Sequence, residues 1–119
     1  MCQSEGKCAL AKDEDVSYKR QVIELRQTRE FADWRAGLKD SVTRKRIAAR
    51  LDRLAFSNFG DAKVIGGGVS ELRLDFGPGY RVYFTRQGRT IVLLLCGGDK
   101  STQARDIERA KEMARELRE

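Results

Sequence analysis

Between Ser70 and Thr85 the sequence leaves room for little besides an antiparallel β-hairpin. Leu72, Leu74 and Phe76 alternate with Glu71, Arg73 and Asp75, giving one apolar and one charged face. Gly77-Pro78-Gly79 breaks the alternation with residues suited to a three-residue turn. Tyr80–Thr85 resumes it, with Tyr80, Val82 and Phe84 on the apolar side and Arg81 and Tyr83 on the other. Gln87-Gly88-Arg89 turns the chain again, and Thr90–Cys96 follows as an almost wholly apolar strand. A strand without a polar face belongs at the centre of a sheet, covered on both sides.

Upstream the period is 3.6 rather than 2. Phe31, Trp34 and Leu38 share one face of a helix over Arg29–Lys39, with Thr28 at the N-cap and Gly37 weakening the last turn. A second helix spans Val42–Phe56, with Ile47, Ala48, Leu51, Leu54 and Ala55 as its apolar stripe. The link Lys39–Ser41 is short enough to make the two an antiparallel hairpin. A first strand is expected at Tyr18–Leu25, where Val22 and Ile23 supply β-branching. Asn58-Phe59-Gly60-Asp61 marks a turn, Lys63–Ile65 a short strand, and Gly66-Gly67-Gly68 a bend. The last helix, Thr102–Leu117, carries Ile107, Ala110, Ala114 and Leu117 on one stripe. The fold class is therefore α+β: a small antiparallel sheet with an N-terminal helical hairpin and a C-terminal helix, in the order β-α-α-β-β-β-α. Residues 18–119 make one domain, as 119 residues allow, behind a flexible polar tail over residues 1–17.

Composition narrows the chemistry. Lys and Arg outnumber Asp and Glu by 24 to 18, for a net charge of +6. That balance favours a polyanionic partner, either nucleic acid or an acidic protein, although a charged solvated surface gives the same number. There is no histidine. The commonest general base and the commonest transition-metal ligand are thus absent, and any catalysis falls to Arg, Lys, Tyr, Asp, Glu, Ser or Thr. Cys2, Cys8 and Cys96 have no metal-binding spacing and read as free thiols of a cytoplasmic protein. No run is long and apolar enough for a transmembrane helix, and residues 1–11 lack a signal-peptide core. No cofactor, metal or membrane partner is expected.

Two surfaces could carry chemistry. Pairing Phe76 with Tyr80 sets Asp75 across from Arg81 and Arg73 across from Tyr83, all on the face away from the apolar side. Arginine presents a planar fork of donors to phosphate oxygens, and tyrosine can stack on a base. A cross-strand ion pair between Asp75 and Arg81 explains the same residues without any ligand. The loop Cys96–Ser101 places backbone N–H groups and Lys100 at a helix start, where an anion can bind. Asp99 or Ser101 acting simply as helix cap explains it equally. Arg44, Lys45, Arg46, Arg50 and Arg53 crowd the non-apolar sides of the second helix, and Arg44, Lys45, Arg50 and Arg53 are candidates for RNA contact.

The run Glu71-Leu-Arg-Leu-Asp-Phe-Gly-Pro-Gly-Tyr-Arg-Val-Tyr-Phe84, with Val64–Ser70 before it, resembles the RelE/ParE superfamily of toxins. Together with Leu93-Leu-Leu-Cys-Gly-Gly-Asp-Lys-Ser-Thr102 and the residues to Ala110, it is closest to the HigB-like branch, the phage-derived Gp49-like "addiction module killer" proteins. The resemblance covers roughly residues 18–117. It implies the toxin of a type II toxin–antitoxin system. The implied activity is a ribosome-dependent mRNA endonuclease, in which a ribose 2′-OH attacks the adjacent phosphate. It also implies a cognate helix-turn-helix antitoxin, with operator DNA reached only through that antitoxin. Carried over by position, the phosphate-binding arginine falls on Arg81, a second basic position on Arg73 and a third on Lys100. Another basic position falls on Glu71 and a late tyrosine near Asp106, both departures from the pattern. The general base stays open among Glu71, Asp99 and Lys100, with Tyr83 able to orient substrate. A ParE-like inhibitor of DNA gyrase, needing no catalytic group, and a degenerate toxin that only binds antitoxin or operator DNA are the alternatives.

Overall fold

The computed structural model describes residues 23–56 and 62–118. The expected tail, most of the first strand and the turn at residues 58–61 lie outside the described residues. Within them the order is β1 (Glu24–Gln27), α1 (Arg29–Ala36), α2 (Ser41–Ala55), β2 (Ala62–Gly66), β3 (Val69–Leu74), β4 (Tyr80–Gln87), β5 (Ile91–Gly98), a 3-10 turn (Lys100–Thr102) and α3 (Gln103–Arg118). The sheet has five strands in the spatial order β1-β5-β4-β3-β2. The mixed α and β character agrees with the sequence, with two adjustments. Four strands separate α2 from α3 where the stated order has three, the short strand expected at Lys63–Ile65 being one of them and pairing with β3 over Ala62–Gly66. The sheet is not wholly antiparallel, because β1 joins β5 in parallel. Pairing direction depends on how the chain returns to the sheet, and local hydrophobic pattern carries no record of that.

Both helices of the hairpin start on side-chain caps. Thr28 Oγ1 accepts from Phe31 N at 3.0 Å and donates to the Leu95 carbonyl at 2.7 Å, which fixes the start of α1 to β5. The Asp40 carboxylate accepts from Val42 N and from Thr43 Oγ1, both at 3.0 Å, at the start of α2. The hairpin covers one sheet face: Phe31, Ile47, Leu51 and Leu54 pack with Leu72, Leu74, Val82, Phe84, Val92 and Leu94. Helix α3 covers the other face, where Ala110, Met113 and Ala114 meet Val69, Tyr83, Leu95 and Cys96. Strand β5 is an interior strand, between β1 and β4, and is covered on both faces as its apolar run requires.

The β3–β4 hairpin keeps its expected faces but not its expected register. Leu74 pairs with Tyr80, Arg73 with Arg81, Leu72 with Val82 and Glu71 with Tyr83. The loop is thus five residues, 75–79, rather than the three of Gly77-Pro78-Gly79. A slip of one residue would have inverted the faces, but a displacement of two preserves them and changes only the partners. Phe76 leaves the sheet for the loop, where its ring lies 5.6 Å from that of Tyr80 and beneath the Arg46 guanidinium at 5.2 Å. Packing of Phe76 against α2 outweighs extending the ladder by one more pair.

Opposite β4, strand β5 carries a bulge, with Tyr83 paired to Cys96 and Phe84 to Leu94. Leu95 and Cys96 consequently both face α3. The bulge resets the alternation, sending Gly97 against Trp34 and Gly98 against Asp106.

Candidate functional site

The face bearing Glu71, Arg81 and Tyr83 was expected to be open to solvent. It is not, because the N-terminal half of α3 lies across it. Tyr83 is fully buried, Glu71 is 1% exposed and Arg81 8%. The cross-strand pair of Asp75 with Arg81 does not form, since Arg81 stands opposite Arg73. The carboxylate beside Arg81 is that of Glu71. Its Oε2 accepts from the Tyr83 hydroxyl at 3.0 Å and from Gln103 Nε2 at 2.9 Å. Arg81 Nε lies 3.6 Å from the same oxygen, close enough for charge attraction but outside hydrogen-bond range, and has no hydrogen-bond partner. Arg81 Nη1 donates to the Gly79 carbonyl at 2.8 Å.

The Asp75–Gly79 loop is tied to the turn after β5: Lys100 N donates to the Pro78 carbonyl at 3.4 Å. Gly79 has φ +80° and is wedged between two cationic side chains. A Cβ there would lie 3.2 Å from Arg81 Nη1 and 3.4 Å from Lys100 Cβ. Exposed Arg73, largely buried Arg81 and exposed Lys100 thus converge at one end of the sheet, although 27 positions separate Arg73 from Lys100 in the chain.

Asp99 sits beside this cluster as a helix cap. Its carboxylate accepts from Ser101 N at 2.9 Å and from the Ser101 hydroxyl, and Thr102 completes a capping box. The hydrogen bond from the Ser101 side chain, with a further contribution from the Arg81 charge, holds the Asp99 carboxyl below the usual carboxylate range. Capping accounts for the loop geometry, as one of the two readings of the sequence allowed. Asp106 accepts a hydrogen bond from Thr102 Oγ1, and its carbonyl accepts from Cys96 Sγ at 3.6 Å. Burial, reinforced by the Asp106 charge, pushes the Cys96 thiol up to about 12. It is therefore a protonated core residue rather than a nucleophile.

Two expected roles change with burial. The Tyr83 ring is sealed beneath α3 and cannot stack on a base. Desolvation and the adjacent Glu71 carboxylate drive its hydroxyl well above the ordinary tyrosine range, so it is a fixed donor. Glu71 is committed to two hydrogen bonds and is poorly placed to take a proton from a substrate at the surface. Of the other expected base candidates, Asp99 borders the cationic cluster and Lys100 is its exposed member. Gln103 was missed. A polar residue in the first turn of a helix gives no signal by itself, and its role emerges only because α3 places it over Glu71.

The basic residues of α2 do not form one patch. Arg46, Arg50 and Arg53 recur at i, i+4 and i+7 along one flank, the side where Arg46 covers Phe76. Arg44 lies on the opposite flank, where its guanidinium donates to the Leu38 carbonyl, and exposed Lys45 points away from the core. Among the described residues no cluster of Cys, Asp or Glu could hold a metal ion. No helix of the described residues is long and apolar enough to cross a membrane.

This three-layer arrangement defines a small α+β domain with a cationic cluster at one sheet end. Residues 29–118 match the family described as phage derived protein Gp49-like (DUF891), and the chain belongs to that family. It is similar to an uncharacterized protein of Haemophilus influenzae, with 50% identity over 96 residues, covering 81% of this chain and 97% of the relative.

Proposed function

We propose that this protein is the toxin of a type II toxin–antitoxin pair and acts as a ribosome-dependent mRNA endonuclease. The observation that carries the reading is that Arg81 and Lys100 flank Gly79 while Arg73 stands opposite Arg81 on the next strand. Membership of the phage-derived Gp49-like family supports it, as do the runs Val64–Phe84 and Leu93–Ala110, which resemble RelE/ParE toxins of the HigB-like branch.

The chemistry asks for cations around a phosphodiester while the neighbouring 2′-OH loses its proton and attacks phosphorus, the P–O5′ bond breaks, and the products are a 2′,3′-cyclic phosphate and a protonated 5′-hydroxyl. Arg81 donates to non-bridging oxygens and stabilises the charge that builds on them, helped by Arg73 and Lys100 from the solvent side. Arginine is too weakly acidic to exchange the proton. That task falls to a group on the rim of the cluster, Asp99 or Lys100. The ribosome and mRNA are the proposed working partners, with contacts from Arg46, Arg50 and Arg53 on one flank of α2 and from Lys45. A helix-turn-helix antitoxin is the proposed neutralising partner, covering part of this basic surface.

Growth arrest on induction in a host lacking the antitoxin tests the reading. Arg73→Ala with Arg81→Ala should abolish arrest while the protein stays soluble and folded. Sequencing of mRNA ends should show codon-phased cuts for the native chain. An Arg73→Ala/Arg81→Ala protein that remained fully toxic would remove this site from the mechanism. DNA-damage signalling without mRNA cuts would favour gyrase inhibition instead.

A further inference from the structure

Glu71 and Arg81 are both more than nine-tenths buried and carry opposite charge, yet they do not form the close pair such groups ordinarily make. A guanidinium and a carboxylate free to meet settle with N–H donors at about 2.7–2.9 Å from the oxygens, often two at once. Here the gap from Nε to Oε2 is 3.6 Å, and Nε is left as a buried donor without an acceptor. The reason is visible in the neighbours. Oε2 is already occupied by the Tyr83 hydroxyl and the Gln103 amide, one from the adjacent strand and one from the first turn of α3. Both donors are neutral, so they hold the carboxylate without cancelling its charge.

We propose that Tyr83 and Gln103 are positioning residues that hold the Glu71 carboxylate off Arg81, leaving the guanidinium under-paired and available to a phosphodiester. The inference rests on the reading that Arg81 binds RNA phosphate. An orphaned buried donor is costly and is retained where another group supplies its partner. The Gly79 carbonyl keeps the arginine in place by accepting from its Nη1 edge, across the gap from Glu71. A phosphate approaching from the Arg73 and Lys100 side therefore meets a cation already oriented and not fully neutralised. The Tyr83 hydroxyl suits this role, because its environment keeps it protonated throughout the physiological range. Without either donor, Oε2 is released and the carboxylate closes on Arg81.

Two measurements on the full chain decide this separately from the toxin reading. The first is the NMR signal of the Arg81 Nε–H in the ligand-free protein. In Tyr83→Phe or Gln103→Leu it should move to a hydrogen-bonded position and exchange more slowly with water. The second is affinity for a short 2′-O-methyl RNA, read by fluorescence anisotropy. Each variant should bind about tenfold more weakly, the equivalent of one charge-assisted hydrogen bond redirected. Adding Glu71→Gln to Tyr83→Phe should restore binding, because the amide cannot neutralise Arg81. An unchanged Nε–H signal in both variants overturns the inference, as does a loss of affinity that Glu71→Gln fails to rescue, which marks a merely structural role. Gln103→Leu, at the partly exposed start of α3, covers the case in which Tyr83→Phe does not fold. Wild-type affinity in Arg81→Ala overturns the toxin-site reading while leaving the Nε–H result to stand by itself.

Discussion

Gly97 shows how single atoms set the limits of this site. A Cβ built there would lie 2.4 Å from the Trp34 indole, itself packed against Phe31 and Tyr80 at ring distances of 5.6 and 6.3 Å. The partly exposed indole could relieve that clash only by giving up its packing on these rings. Gly97→Ala is therefore expected to destabilise the fold by about 1–3 kcal/mol, the usual cost of an over-packed core. Urea unfolding would measure it, and a change below about 0.5 kcal/mol, the range of ordinary surface substitutions, would show that Trp34 is less confined. At the same scale the chemistry-bearing residues divided unevenly between prediction and surprise. Arg73, Arg81 and Lys100 were singled out by the resemblance, and the fold brings Arg81 beside both. The surroundings of Arg81 were not. Whether an arginine faces solvent or a buried glutamate depends on what covers the strand, and alternation reports only which residues share a side.

At the scale of elements, helix faces and strand faces were readable and pairings were not. The apolar stripe of α2 and the two sides of β3 and β4 follow directly from periods of 3.6 and 2. Register between β3 and β4 was misread by two residues because Gly77-Pro78-Gly79 looks like a complete turn. Phe76, held by Tyr80 and Arg46, enlarges the loop instead. The last-helix stripe was partly right: Ala110 and Ala114 are buried, Met113 joins them, and Leu117 stays exposed. The Thr28 cap was also legible, but its second bond, to the Leu95 carbonyl, was not. Because one hydroxyl serves both α1 and β5, Thr28→Ala should cost about 1–2 kcal/mol, the upper part of the range for losing an N-cap. Thermal unfolding checks this, and Thr28→Ser, which keeps the hydroxyl, should recover most of the loss.

For the molecule as a whole, the three layers put titratable groups where solvent cannot reach them, and this gives the protein an alkaline limit. Cys96 and Tyr83 both have their ionisation raised by burial in the α3 layer. In the unfolded chain they release protons near their ordinary values, about 8.5 and 10. The folded state then holds more protons than the unfolded state above about pH 8.5, so stability must fall as pH rises from there. Below that pH the contribution is fully present. Chemical denaturation from pH 7 to 11 should show a steady loss, and Cys96→Ala should flatten its first part. A stability that stayed level to pH 11 would show that α3 opens readily over the sheet.

The sequence by itself determined the helical hairpin, the two-faced strands and the covered, interior place of Ile91–Cys96. Each of these follows from local period, composition or motif, which operate over a few neighbouring positions. Tertiary structure alone decided that β1 pairs in parallel, that α3 seals Glu71 and Tyr83, and that Gln103 competes for the carboxylate beside Arg81. Those outcomes depend on contacts between positions as far apart as Glu24 and Ile91, where the free energy of packing two surfaces together selects the arrangement.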